Sequence, residues 1–303
     1  MSHGRPMFVQ TRHIAFDSLT TARLATAWKV AAQPRVMGGI EVDLGMSGKV
    51  ALVTGGSKGI GRACAERLAA EGCDVMIVAR TEADLEEAAA AIAKASGRRI
   101  EICATDLRAP QGCEAAVGAL KHAFGRLDVL VNNAGATQSG DFFKLDDGVW
   151  EDGFALKFYA GVRLSRALWP LLKDAKGAVV NVIGGASKTP SANFMIGGAV
   201  NAAITNFTKA LAELGLRDGV TVNAVHPGMT VTGRLDALLD QRAAADNLSR
   251  EAYEKQELAR SGLRRYGQPE DVASLVAYLA SPLAEHIHGA DLFVDGGATK
   301  TIL

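Results

Sequence analysis

From Lys49 onward, short apolar runs alternate with longer segments whose apolar positions recur every three or four residues. The runs lie at 49–54 (KVALVT), 74–79 (DVMIVA), 99–104 (RIEICA), 128–132 (DVLVN), 177–183 (GAVVNVI), 219–225 (GVTVNAV) and 290–294 (ADLFV). Most are nearly continuous in Val, Ile, Leu and Ala, as strands covered on both faces are, whereas half-exposed strands alternate. Helical periodicity occupies 59–71, 82–96, 111–124, 147–173, 198–217 and 269–280. A strand, a helix and a further strand, repeated without a break, require right-handed crossovers onto one parallel sheet. The pattern predicts an α/β chain, with a doubly wound seven-stranded parallel sheet and helices on both faces, forming a single domain over 47–303.

Composition adds limits to that picture. Hydrophobic residues are 48% of the chain, and 33 Lys+Arg balance 33 Asp+Glu, so the chain can bury a core and carries no bulk field. That argues against disorder and against nucleic acid or an anionic membrane as partner. No apolar stretch approaches the roughly 20 residues of a membrane helix, and a soluble protein is expected. Cys64, Cys73, Cys103 and Cys113 show no CxxC and no paired His, which fits reduced thiols and a cytoplasmic location. No cluster has metal-ligand spacing. Residues 1–46 read as an N-terminal extension: up to residue 40, Arg5, Arg12, Arg23, Lys29 and Arg35 face the single acid Asp17. A transit peptide, a partner-binding arm and upstream sequence before a start at Met37 or Met46 all fit this composition.

Glycine is the outlier, 33 residues in 303, against an ordinary level of about 7%. Four of them fall in Thr54-Gly55-Gly56-Ser57-Lys58-Gly59-Ile60-Gly61, between the first strand and an Ala-rich helix. Backbone amides in such a turn face a pyrophosphate with no Cβ in the way, and the helix dipole favours the anion, so a Rossmann-type dinucleotide site is expected. A tight strand–helix turn alone is the plainer alternative.

At these residues the chain resembles the short-chain dehydrogenase/reductase family, whose loop reads TGxxxGxG. The resemblance extends to Asp106, to Asn132-Asn133-Ala134-Gly135, to Asn223, Pro227-Gly228 and Thr232, and to Val294-Asp295-Gly296-Gly297. It implies that Ser57 and Ile60 belong to the cofactor loop, that Asp106 and Leu107 frame the adenine, and that Asn132, Ala134 and Gly135 meet the ribose region. Pro227, Gly228, Thr230 and Thr232 would lie on the nicotinamide side. An NAD site wants a carboxylate at the end of the second strand for the ribose 2′-OH, but this chain has Ala79-Arg80-Thr81 there and Lys58 in the glycine loop. Two cations suit a 2′-phosphate, so NADP(H) is expected over NAD(H).

The family works with Asn, Ser, Tyr and Lys, the last two as YxxxK. Aligned on Val179-Val180-Asn181-Val182 and on the gap-free run after Asn201, the Ser position is Gly184, the Tyr position Gly197 and the Lys position Asn201. The Asn position, counted back from Pro170, is Lys157. The resemblance therefore implies a divergent member in which Asn and Lys have exchanged places. Lys157 would restore a cation near the nicotinamide while Asn201 bonds the ribose; a helix-capping or subunit-bridging Lys157 is the alternative. Ser187 and Lys188 are further candidates for a hydroxyl and a proton source, and His226 reads as structural. The segment 233–265, with Leu235, Leu238, Leu239, Leu248 and Tyr253, falls where the family carries a substrate lid. By the same resemblance the protein would be a homodimer or homotetramer acting on a small-molecule substrate. Three functions stay open: an NADP(H)-dependent oxidoreductase with a rearranged site acting on a carbonyl, alcohol or enone; a dinucleotide-binding sensor or partner subunit without turnover; and a lyase or isomerase on the same scaffold.

Overall fold

The computed structural model describes residues 42–301. The seven apolar runs form β1 Val50–Thr54, β2 Asp74–Ala79, β3 Ile100–Ala104, β4 Val129–Asn132, β5 Ala178–Val182, β6 Thr221–Pro227 and β7 Asp291–Val294. All pair in parallel, in the order β3-β2-β1-β4-β5-β6-β7. The helices are α1 Gly59–Ala70, α2 Glu82–Ser96, α3 Pro110–Ala123, α4 Asp147–Phe154, α5 Ala160–Ala175, α6 Met195–Asp218, α7 Gly233–Ala245, α8 Arg250–Ser261 and α9 Pro269–Ala280. The expected doubly wound architecture is thus observed.

Two apolar layers sandwich the sheet. One joins Ala51, Val53, Val75, Ile77 and Val180 to α1, α2 and α9. The other joins Leu52, Met76, Leu130 and Val179 to α3 and α5. Both faces of β1 and β5 are therefore buried, which explains why their sequences do not alternate. Each fully enclosed Leu, Ile or Val contributes about 1.5–3 kcal/mol. The compact unit begins at Asp43, four residues ahead of the expected Ser47, because Leu44 and Met46 are buried in the first layer. Of the expected extension, residues 1–41 lie outside the described residues.

Local chemistry sets the helix ends. Asp146 accepts from the Val149 amide at the start of α4, Ser249 from Ala252 at α8, and α9 carries a reciprocal Gln268–Asp271 capping box with Pro269 in its first turn. The expected helix 147–173 is broken by a single π-helical turn, Ala155–Tyr159, between α4 and α5. The expected helical segment 233–265 is a pair, α7 and α8, packed through Leu235, Leu239, Ala243, Tyr253 and Tyr266. Among the described residues no helix is long and apolar enough to cross a membrane, and no group of His, Cys, Asp and Glu could hold a metal ion.

Candidate active site

The chain leaves β1 for β2 on one side and returns at β4 on the other, so a crevice opens beyond the carboxyl ends of β1 and β4, the place where doubly wound sheets bind ligands. A cleft of about 840 Å³ occupies it, bounded by the glycine loop, the turn after β4, the π turn, the start of α6 and the first turn of α7. Of the expected residues, Gly55, Lys58, Gly59, Ile60, Gly61, Ala134, Gly135, Lys157, Gly184, Asn201, Pro227, Gly228, Thr230 and Thr232 line it together.

The glycine loop is built for close approach. Gly55 and Gly59 have φ of +67° and +56°, a region that favours glycine. Lys58 precedes α1 but supplies no side-chain cap, and the first turn of α1 holds no acid. The leading amides of α1 therefore remain available to an anion, with the dipole behind them. Thr54 is a fastener rather than a ligand: its Oγ1 accepts from the amides of Asn133 and Ala134, both at 2.9 Å, and donates to Val131 O. Ser57 is buried, and Thr81 is exposed immediately before α2.

Other expected cofactor residues need correction. The Asn132 side chain turns away from the cleft, donating to Asn181 Oδ1 at 2.9 Å and Ser165 Oγ at 3.3 Å, because it points between β5 and α5. Asn133 lines the cleft in its place and donates to Thr54 O. The Leu107 side chain is buried in the core rather than presented to an adenine. Burial pushes the Asp106 carboxyl up, but bonds from Arg108 and the charges of Arg108 and Arg80 outweigh it and hold the group below its usual range. The Lys58 side chain is 73% exposed and pairs with Asp84 at 2.8 Å, a surface ion pair of about 0–1 kcal/mol that leaves its charge available to an anion.

Lys157 sits in the π turn, a feature that often marks functional sites because it re-aims side chains out of the helical register. Its stem lies so close to Gly135 that a Cβ there would fall 2.8 Å from Lys157 Cδ. Its Nζ donates to Ile183 O at 2.5 Å and to Asn201 Oδ1 at 2.6 Å. The two residues that would have exchanged places are thus in direct contact. Burial, with a smaller contribution from the Arg234 charge, lowers the Lys157 pKa from 10.5 to about 7.

The two glycines have different physical grounds. Gly184 adopts φ +133°, which L side chains rarely tolerate, where the chain turns out of β5. Gly197 faces the Phe194 ring, whose Cζ stands 2.0 Å from where a Cβ would be, so Phe194 takes the space of any side chain at 197. Phe194 itself lines the cleft.

Ser187 and Lys188 are drawn into a network beside the cleft instead of lining it. Ser187 Oγ lies 3.3 Å from His226 Nδ1, His226 Nε2 lies 3.3 Å from Asp291 Oδ1, and Lys188 pairs with Asp291 at 3.5 Å. His226 is fully buried, stacked on Phe293, and its Nδ1 lies 3.1 Å from Gly184 O. Sequence reasoning missed Phe194, Thr189 and Arg234, all of which line the cleft, and quoted Asp295 within Val294-Asp295-Gly296-Gly297 without assigning it to the site. The first three belong to no motif; only the placement of Arg234 at the start of the expected lid offered a signal.

Residues 55–299 match the family model described as enoyl-(acyl carrier protein) reductase. The chain is 36% identical over 258 residues to the 3-oxoacyl-(acyl-carrier-protein) reductase of Vibrio cholerae, covering 84% of this chain and 98% of that one. Among solved structures it is similar to L-sorbose reductase from Gluconobacter frateurii complexed with NADPH and L-sorbose, at 32% identity and a TM-score of 0.83, covering 86% of this chain and 100% of that one. A short chain dehydrogenase from Burkholderia cenocepacia in complex with NADP matches at 34% identity and a TM-score of 0.72, covering 84% and 98%.

Proposed function

The chain belongs to the short-chain dehydrogenase/reductase family, and on that premise we propose that it is an NADP(H)-dependent oxidoreductase whose proton donor is Lys157. The observation that carries the reading is the Lys157 ammonium, fixed by Ile183 O and Asn201 Oδ1 in the same cleft as the glycine loop. The NADPH and NADP in the related complexes support the cofactor, as do the uncapped amides of α1 and the cations Lys58 and Arg80. Gly55, Gly59, Ile60 and Gly61 would hold the pyrophosphate, Lys58 and Arg80 the 2′-phosphate, and Asn133, Ala134, Pro227, Gly228, Thr230 and Thr232 the nicotinamide half.

Carbonyl reduction adds a hydride to carbon and a proton to oxygen. NADPH supplies the hydride when bound. Lys157 donates two of its three hydrogens to fixed acceptors, and its third is free to reach a substrate oxygen. A pKa of about 7 places it where an acid transfers protons efficiently near neutral pH. Asn201 orients it, and Asn201 Nδ2 bonds Gly184 O at 3.4 Å, tying the pair to the end of β5. Gly184 and Gly197, at the family's Ser and Tyr positions, offer no side-chain proton. Ser187 and Lys188 would support the floor through His226. The helices α7 and α8 would close over the substrate, and α5 and α6 would form the contact of a cytoplasmic homodimer or homotetramer; exposed Leu216 on α6 supports the contact, and the free cysteines support the location.

The test is NADPH oxidation over a panel of ketones, aldehydes and enones, with wild type and Lys157→Met. Turnover by wild type, lowered by about 10²- to 10⁴-fold in the variant, is expected. Equal turnover in the two proteins would remove Lys157 from the reaction.

A further inference from the structure

The cleft is unbalanced in charge. Lys58, Lys157 and Arg234 line it against one acid, Asp295. That carboxylate is already engaged, accepting from the Gly297 amide at 2.9 Å and the Thr299 amide at 2.8 Å. These bonds, with the Thr299 side chain, outweigh burial and hold Asp295 ionised below its usual range. Lys58 has Asp84. Lys157 and Arg234 have no carboxylate among the described residues.

Arg234 occupies the first turn of α7 and reaches across the mouth of the cleft, where Nη2 donates to Thr137 O at 3.1 Å. That bond uses one of five N–H donors. Several other arginines are neutralised, as where Arg108 holds Asp106 and Asp152, Arg250 holds Asp236, Asp240 and Glu254, and Arg265 holds Asp271; Arg234 differs in lining the cleft without such a partner among the described residues. The Arg234 charge is also felt at Lys157, so both cations bear on one small volume. Apolar side chains of Phe194, Leu235 and Leu238 form the wall around them. Two unneutralised cations on an apolar wall disfavour each other and favour an anion, and the planar guanidinium fork matches a carboxylate bidentately.

We propose that Arg234 is a substrate-binding residue that captures a carboxylate, so that the substrate is a small oxo acid, or the hydroxy acid it yields, rather than a neutral carbonyl compound. The inference rests on the reductase reading for the carbonyl, while the carboxylate site rests on Arg234. One short aliphatic molecule satisfies both cations: its carboxylate on Arg234, its reacting oxygen on Lys157, and its methylenes on Phe194 and Leu238.

Calorimetric titration of the NADP⁺-saturated protein with 2-oxopentanoate, 4-oxopentanoate and their methyl esters tests this. At least one acid is expected to bind about tenfold or more tightly than its ester. Arg234→Gln should abolish that preference and Arg234→Lys should keep part of it, since a charge-assisted bond contributes on the order of 10- to 100-fold. Because Arg234 is exposed, neither variant should change the thermal midpoint. Equal binding of acids and esters, absence of binding by every acid, or a preference that survives in Arg234→Gln would overturn the proposal. NADPH oxidation run in parallel separates the two readings. Acid binding through Arg234 without oxidation would defeat the reductase reading alone, whereas oxidation with esters as good as acids would defeat the carboxylate site alone.

Discussion

Lys157→Met should change the pH dependence of stability as well as activity. In the folded protein the ammonium titrates near 7; in the unfolded chain it titrates near its ordinary 10.5. Between those values the unfolded state binds more protons, so folding stability rises with pH, and the gain is complete only above the unfolded value. From pH 6 to pH 9 linkage gives about 2–3 kcal/mol of added stability, an upper figure because the side chain keeps some contact with cleft water. The substitution removes this term. It also strips Ile183 O and Asn201 Oδ1 of their donor, at a cost of about 1–3 kcal/mol that does not vary with pH. Urea unfolding of wild type and variant at pH 6 and pH 9 isolates the charge as a double difference. A wild type that gains about 2 kcal/mol relative to the variant supports a buried cation, and parallel pH dependences would refute it. The same titration governs turnover: reduction needs the protonated amine and should fall above pH 7, while alcohol oxidation needs the neutral amine and should rise.

Arg80→Asp should reverse the dinucleotide preference, because a carboxylate there accepts from a 2′-OH and repels a 2′-phosphate; a change in selectivity on the order of 10²-fold is expected from titrations with NADP⁺ and NAD⁺. Comparable affinities of the wild type for both would already contradict the NADP(H) reading. Gly135→Ala places a Cβ 2.8 Å from Lys157 Cδ, so the flexible stem should yield at about 1 kcal/mol of stability while kcat falls well beyond that, as Nζ leaves Asn201; a crystal structure with Lys157 undisturbed would count against this. Gly197→Ala meets the Phe194 ring at 2.0 Å and should swing it into the cleft, costing about 1–3 kcal/mol by thermal unfolding and raising KM. An unchanged KM would mean that Phe194 does not face the substrate.

Much of this molecule follows from local sequence. Strand positions were legible because parallel strands buried on both faces must be apolar throughout, and a glycine cluster between a strand and a helix has few other uses. Observed strand limits fall within two residues of those expected, as for β6, which runs two residues further to Pro227. What no periodicity carries is where a side chain points once elements from distant parts of the chain converge. Asn132 and Asn133 are adjacent, yet one turns inward to Asn181 and the other to the glycine loop. Lys157 and Asn201 are 44 residues apart, and a π turn, Gly135 and the fold of β5 together bring them into contact. Local pattern is enough to specify the sheet, its helices and the cradle, because these depend on the period of burial and on backbone freedom. Tertiary structure alone decided the filling of the space at Gly197 by Phe194, the withdrawal of Ser187 and Lys188 towards His226, and the reach of Arg234 across the cleft. Those outcomes depend on excluded volume and on charges held a few ångströms apart by separate elements, quantities that do not exist until the chain has folded.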